Sequence, residues 1–312
     1  MAAIRQLPLF PTLPTKPEEI THKTALKHTL ELFHQHLMKE GKTQHTVKAF
    51  ASDLHLMAEY LGEDKPVGEF TTTNLNEFLR WMEVGRGVPC SRKTYARRVT
   101  TLKVYFKWLT GLNAIPFDPA VPVLQRSGQA PLSDILEEDE ISLALSFTYT
   151  LRIAEKPDAR PALLLRLLLE TGIKKSETER LLLRDIVRLS KHEAVLTIRH
   201  SSPKDLYKER RMPLSADFLD VMDEYVPQYR LKETLFNCTT RNLEYILEDV
   251  GKGAGLEKKP SFEMLRWTCA LRDYRAGMDA EAIREKLGLS KISWVETFAK
   301  IRRLAGEQEE ES

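Results

Sequence analysis

The chain has 312 residues, 42% of them apolar and 29% charged, with a formal net charge of +2, which describes a globular protein long enough for two domains with separate cores. No apolar run approaches the roughly 20 residues of a membrane helix, and the N-terminal residues lack the apolar centre of a signal peptide, so a cytoplasmic protein without a membrane partner is expected. Cys90, Cys238 and Cys269 are far apart and in no Cys-x-x-Cys spacing, so neither a disulfide framework nor a metal site is expected, and no cofactor.

Charge is unevenly divided. Residues 1–130 carry 17 Lys and Arg against 12 Asp and Glu, whereas residues 131–312 carry 30 against 33. The excess is concentrated in Arg86, Arg92, Lys93, Arg97, Arg98, Lys103 and Lys107, between which no acidic residue occurs. A solvated helix face usually mixes signs, so this block suits a polyanion.

In chain order, residues 1–19 carry Pro8, Pro11, Pro14 and Pro17 and predict an extended arm rather than a helix. Residues 20–112 predict a four-helix domain. Ala25, Leu26, Leu30, Phe33 and Leu37 recur at helical spacing from Ile20 to about Gly41. A second helix runs from Thr43 through Val47, Phe50, Leu54 and Met57 to Gly62, and a third follows the Thr71-Thr72-Thr73 capping signal as far as Gly85. The fourth begins near Ser91. On it Tyr95, Val99, Leu102, Phe106 and Leu109 share one face, while Arg92, Lys93, Arg97, Lys103 and Lys107 occupy a separate arc of about 140°. Residues 113–131, with Pro116, Pro119, Pro122 and Ser127-Gly128-Gln129, predict a linker. The second domain is expected over 132–304, mostly helical, with a strongly apolar helix from Ala162 to Glu170 and a small hairpin of Val195–His200 and Arg211–Leu214. Residues 305–312 predict an acidic tail.

Several motifs carry a resemblance to a known family. Thr46-Val47-x-x-Phe50-x-x-Asp53-Leu54 and the closing Ile115-Pro116-Phe117-Asp118-Pro119 lie in the first domain, and three others in the second. Those three are Thr171-Gly172-Ile173-Lys174-Lys175-Ser176-Glu177, Lys208-Glu209-Arg210-Arg211-Met212-Pro213-Leu214, and Pro260 to Thr268 followed by Leu287-Gly288-Leu289-Ser290-Lys291-Ile292 through Phe298. Together they resemble the tyrosine recombinases, the phage integrase family. The resemblance implies a mainly α protein: an N-terminal four-helix core-binding (SAM-like) domain plus a C-terminal, mostly helical catalytic-type domain with a small β-hairpin or sheet.

The resemblance also implies a degenerate active site. Lys174 stands at the family's catalytic arginine, keeping charge but losing the planar fork that grips phosphate. Glu263 stands at a histidine, Leu289 at a second histidine, and Phe298 at the nucleophilic tyrosine; Arg266 is retained. Lys204 is the nearest candidate for the family's hairpin lysine, in a turn whose length leaves that assignment open. Glu263 and Arg266, three apart on one helix, either belong to the site or form an ion pair. No histidine follows His200 and no tyrosine follows Tyr274, so neighbours do not supply what is missing.

The expectation is therefore a sequence-specific, non-cleaving DNA-binding protein, accessory, regulatory or architectural, associated with the nucleoid. Its candidate contacts to double-stranded DNA are Arg92, Lys93, Arg97, Lys103, Lys107, Lys174, Lys204, Lys208 and Arg266. The C-terminal segment is expected to support a homo-oligomer or a hetero-complex with an active recombinase. The alternatives are a partner subunit that contributes to strand exchange with such a recombinase, and a protein-interaction scaffold without DNA binding.

Overall fold

The computed structural model describes residues 13–124 and 132–307. Residues 1–12 of the expected arm, 125–131 of the expected linker and 308–312 of the acidic tail lie outside the described residues, as does the side chain of Lys204. The chain divides into two compact units, Met1–Ala130 and Pro131–Ser312.

In the first unit α1 (Lys27–Lys39) starts later than the apolar periodicity suggests. The amides of Leu26 and Lys27 donate to the carbonyls of Lys65 (2.9 Å) and Glu63 (3.0 Å), so a tertiary pairing takes the backbone groups that an earlier helical turn would have used. Thr43 caps α2 (Gln44–Leu61) by accepting from the amide of Thr46, and Thr71 with Asn74 forms a capping box for α3 (Thr72–Arg80). That helix widens into a π-turn at Trp81–Gly85, where Trp81 stacks on Tyr60 at 4.8 Å between ring centroids.

Ser91 caps α4 (Arg92–Gly111). Its buried face is wider than the five apolar residues marked in the sequence. Thr101, Tyr105, Trp108 and also Arg98 are buried with them, so Arg98 leaves the exposed basic block. The reason is a carboxylate inside the bundle. Asp53 of α2 lies 2.8 Å from Arg97 Nη2 and 3.6 Å from Arg98 Nε, and accepts from Thr101 Oγ1 at 3.0 Å. Burial raises the Asp53 carboxyl against the opposing effect of these partners.

The second unit is built round α6 (Arg160–Thr171), where Leu163, Leu164, Leu165, Leu167 and Leu168 are all fully buried. Apart from a half-buried stripe with Arg166 and Glu170, the helix is apolar and enclosed; α6 packs against α5 (Glu138–Arg152) and, further along the chain, α8 (Ala216–Gln228), α9 (Thr240–Gly253) and α10 (Phe262–Arg275). The one-turn α7 (Lys175–Thr178) follows α6 directly. The hairpin expected from sequence is two strands of an antiparallel three-stranded sheet, β1 (Ile186–Arg188), β2 (Ala194–Ile198) and β3 (Arg210–Leu214), in that order. β1 has three residues, too few to show an alternating pattern. Two further helices, α11 (Ala280–Lys286) and α12 (Lys291–Leu304), close the chain, with Ile283, Leu287 and Ile301 buried beside Ala270 of α10.

Because Leu167 is fully buried among these helices, Leu167→Ala is expected to destabilise this unit by about 2–5 kcal/mol, read as a lower urea midpoint with an unchanged slope.

Candidate functional site

Two features carry chemistry, one in each unit. In the first, α4 contains no aspartate, glutamate, asparagine or glutamine. Arg92, Lys93 and Lys107 are exposed, and Arg97 and Lys103 half-buried, along the arc between the packed edges. Arg97 is partly committed, since it donates to Asp53 and to the carbonyl of Ala49. The face is therefore cationic without local neutralisation by its own helix.

In the second unit the Thr-Gly motif ends α6. Gly172 is left-handed (φ +56°), and a Cβ there would meet Leu287 at 3.2 Å and Cys269 at 3.3 Å, so a side chain would be both strained and crowded. Its carbonyl accepts from Arg266 Nη1, and Arg266 Nη2 donates to the carbonyl of Leu287 at 2.5 Å. Arg266 thus fastens the end of α6 to the end of α11. Glu263 does not pair with it. This carboxylate is exposed in the first turn of α10, where it opposes the helix dipole favourably, and the ion-pair reading of the two residues is corrected.

Arg210 lies beneath this contact. Its Nη1 and Nη2 donate to the two carboxylate oxygens of Glu177 at 3.0 and 2.8 Å, its Nε donates to the carbonyl of Lys286 at 2.6 Å, and both side chains are almost wholly buried. Gly288 (φ +58°) leaves room for that guanidinium, which a Cβ would approach to 2.8 Å. His200 Nε2 is buried 3.6 Å from the same carboxylate and makes no hydrogen bond among the described residues. The Arg210–Glu177 pair was legible in principle: Arg210 shares the inward face of β3 with Met212 and Leu214, and a charge on a core face requires a partner.

Around this pair the cations differ. Burial, with the neighbouring charge of Arg266, lowers the Lys174 ammonium below its usual value. Burial likewise brings the Arg266 guanidinium down to about 10, still charged at neutral pH. Lys208 is paired with Asp205, which raises it. Among the described residues neither Lys174 nor Arg266 has a carboxylate within ion-pair distance; Glu177, already paired with Arg210, acts on both only at longer range. The side chain of Lys204 lies outside the described residues, although its backbone belongs to the turn Pro203–Lys208 between β2 and β3.

Phe298 on α12 stacks with Trp294 (5.1 Å) and meets the ring of Tyr274 edge-on (5.8 Å). Tyr274 lies eight positions beyond Arg266 on α10, about 12 Å along a helix rising 1.5 Å per residue. The ring of Phe298 thus packs toward the far end of α10 from Arg266. The Tyr274 hydroxyl donates to Glu307 at 2.7 Å, which raises its pKa, and Leu289 packs with the small core of α10 to α12.

With this geometry in place, the chain matches the Phage integrase family over residues 134–303 and the Phage integrase, N-terminal SAM-like domain over residues 30–111. The chain belongs to the phage integrase family. It is 23% identical to the tyrosine recombinase XerD of Listeria innocua serovar 6a, over 88% of this chain and 94% of that relative. It is 26% identical to the tyrosine recombinase XerC of the same organism, over 84% and 88%. Its fold is similar to that of a lambda integrase dimer bound to a COC' core site, with a TM-score of 0.71 at 16% identity over 93% of this chain and 80% of that one. It is similar also to the XerH site-specific recombinase bound to difH substrate, with a TM-score of 0.67 at 19% identity over 90% and 83%. The expected mainly helical architecture, a SAM-like domain followed by an integrase-type domain with a small sheet, is the one found. Among the described residues no helix is long and apolar enough to cross a membrane.

In this phage integrase fold Glu177 is a stability element with a pH signature. Burial alone would raise its carboxyl, but Arg210, the Lys174 amide and the Lys174 charge outweigh it and hold the group at about 2 against an ordinary 4.5. A depressed folded value means stability that is complete above about pH 4.5 and is lost as pH falls toward 2. Glu177→Gln is expected to cost about 3–5 kcal/mol at pH 7, by leaving Arg210 buried without a countercharge, and to flatten that acid limb in urea melts.

Proposed function

We propose that this protein is a DNA-binding member of the phage integrase family that holds duplex DNA at specific sites without cleaving it, as an accessory, regulatory or architectural factor in recombination or in chromosome or mobile-element maintenance. It acts in the cytoplasm, on the nucleoid. Phe298 carries the reading. Strand cleavage by this fold needs a phenol oxygen to attack phosphorus and leave again, and a phenylalanine ring offers neither event. The surrounding positions agree, because Leu289 can hold no proton and Glu263 would place a negative charge toward phosphate. Holding DNA needs none of these groups. The α4 face, Lys174 and Arg266 are suited to phosphate oxygens, and that use depends on charge alone.

A second reading is favoured by α12. Ile292 and Val295 are 89% and 72% exposed on this helix, an apolar surface suited to another recombinase subunit. In that reading the chain takes a place in a mixed assembly and a partner bearing the tyrosine does the chemistry.

On a nicked suicide duplex this protein is expected to form no covalent adduct in denaturing gels, and Phe298→Tyr alone is expected to form none, because residues 174, 263 and 289 are unchanged. An adduct from the native chain would overturn the non-cleaving reading. Binding to duplex DNA is expected to weaken steeply with salt. Joint replacement of Arg92, Lys93, Lys103 and Lys107 by Glu is expected to lower affinity at least about tenfold at 0.1 M salt; unchanged affinity would remove α4 as the DNA face. Adding a tyrosine-bearing recombinase separates the second reading, since only then would strand exchange depend on the present chain.

A further inference from the structure

The exposed face of α4 constrains which bases it can recognise. Bidentate reading of adenine uses asparagine or glutamine, and cytosine is read by an acceptor carboxylate. This 20-residue helix contains none of these four residue types. Besides threonine hydroxyls, two kinds of contact are left: cations toward guanine, and methyl groups toward the 5-methyl of thymine. Arg97, which lies within the face, is engaged by Asp53 and the Ala49 carbonyl, which limits its freedom to fork onto a guanine.

Within the cationic arc stand Ala96, Thr100 and Val104, spaced four apart and so aligned along one ridge. Lys93, Lys103 and Lys107 lie around them, placed to reach phosphates on either side of a groove that admits a helix. Thr100 is exposed near the centre of the arc. Its hydroxyl hydrogen is spent on the Ala96 carbonyl, at 2.9 Å, so Thr100 keeps an acceptor oxygen and a methyl group but no donor for a base acceptor. Val104 is half-buried where α4 borders Leu32 and His36 of α1, so Thr100 is the most accessible of the three.

We propose that Thr100, supported by Ala96 and Val104 on the cationic face of α4, is a specificity-determining residue that recognises thymine through its 5-methyl group in the major groove of the bound DNA. This inference rests on the DNA-holding reading above, and the experiment separates the two.

The full-length protein is first used to select binders from a duplex pool with a random core. In the selected duplex each thymine is then replaced singly by deoxyuridine, which keeps base pairing and removes only the methyl group. At one to three positions deoxyuridine is expected to weaken binding about fourfold, the worth of one buried methyl group. Thr100→Ser, which keeps the hydroxyl and loses the methyl, is expected to abolish the thymine–deoxyuridine difference. Thr100→Val, which keeps the methyl and loses the hydroxyl, is expected to preserve it. Salt-dependent binding with no selected sequence, or with deoxyuridine neutral at every position, would overturn this inference and leave the DNA-holding reading standing. So would a difference that Thr100→Ser leaves intact or Thr100→Val abolishes. Absence of binding at low salt would overturn both.

Discussion

The second unit depends on one buried ion pair. Two oppositely charged groups removed from water are costly unless every donor and lone pair is used, and Arg210 and Glu177 come close to that condition. The arginine spends its nitrogens on a carboxylate and on the carbonyls of Lys208 and Lys286, while the carboxylate also accepts from the amide of Lys174. This joins the turn after α6, the strand β3 and the end of α11. Those segments are distant in sequence, and each carries part of a motif. The motifs lie together because the pair holds them, and Arg266 repeats the device one layer out with two backbone carbonyls.

On the proposed non-cleaving reading, the same economy lets the site keep its shape. Lys174 retains a charge in a partly buried position, although one desolvated and repelled by Arg266. Phe298 retains the ring that packs with Trp294 and Tyr274. Leu289 packs where a polar group would have needed a partner. On that reading the packing of Phe298 and Leu289 is kept, while a proton or an oxygen is taken from reach of phosphate.

Much of this was legible in the sequence. Helical periodicity and threonine or serine caps marked α2, α3 and α4, because those signals are local and their causes lie within a few residues. The motifs marked the fold of the second unit. What was not legible depended on tertiary partners. The late start of α1 follows from Leu26 and Lys27 bonding to a loop some forty residues on. The burial of Arg98 follows from Asp53 on another helix, and β1 is defined only by its neighbour β2. The role of Arg210 is present as a period-two pattern, which places it on the inward face of β3 with Met212 and Leu214.

The two backbone contacts of Arg266 have a consequence for how such a chain can change over time. A residue that fastens the fold is held in place by stability whatever becomes of catalysis, whereas Glu263 is an exposed side chain and Phe298 a half-buried one at the rim of a small core, where substitutions are cheap. If the chain is non-cleaving as proposed, change is cheap at Glu263 and Phe298 and obstructed at the residues that brace. A lineage changing in that way would keep its arginines long after the reaction they once served had gone, and would present the outline of an enzyme to any partner that reads only shape and charge.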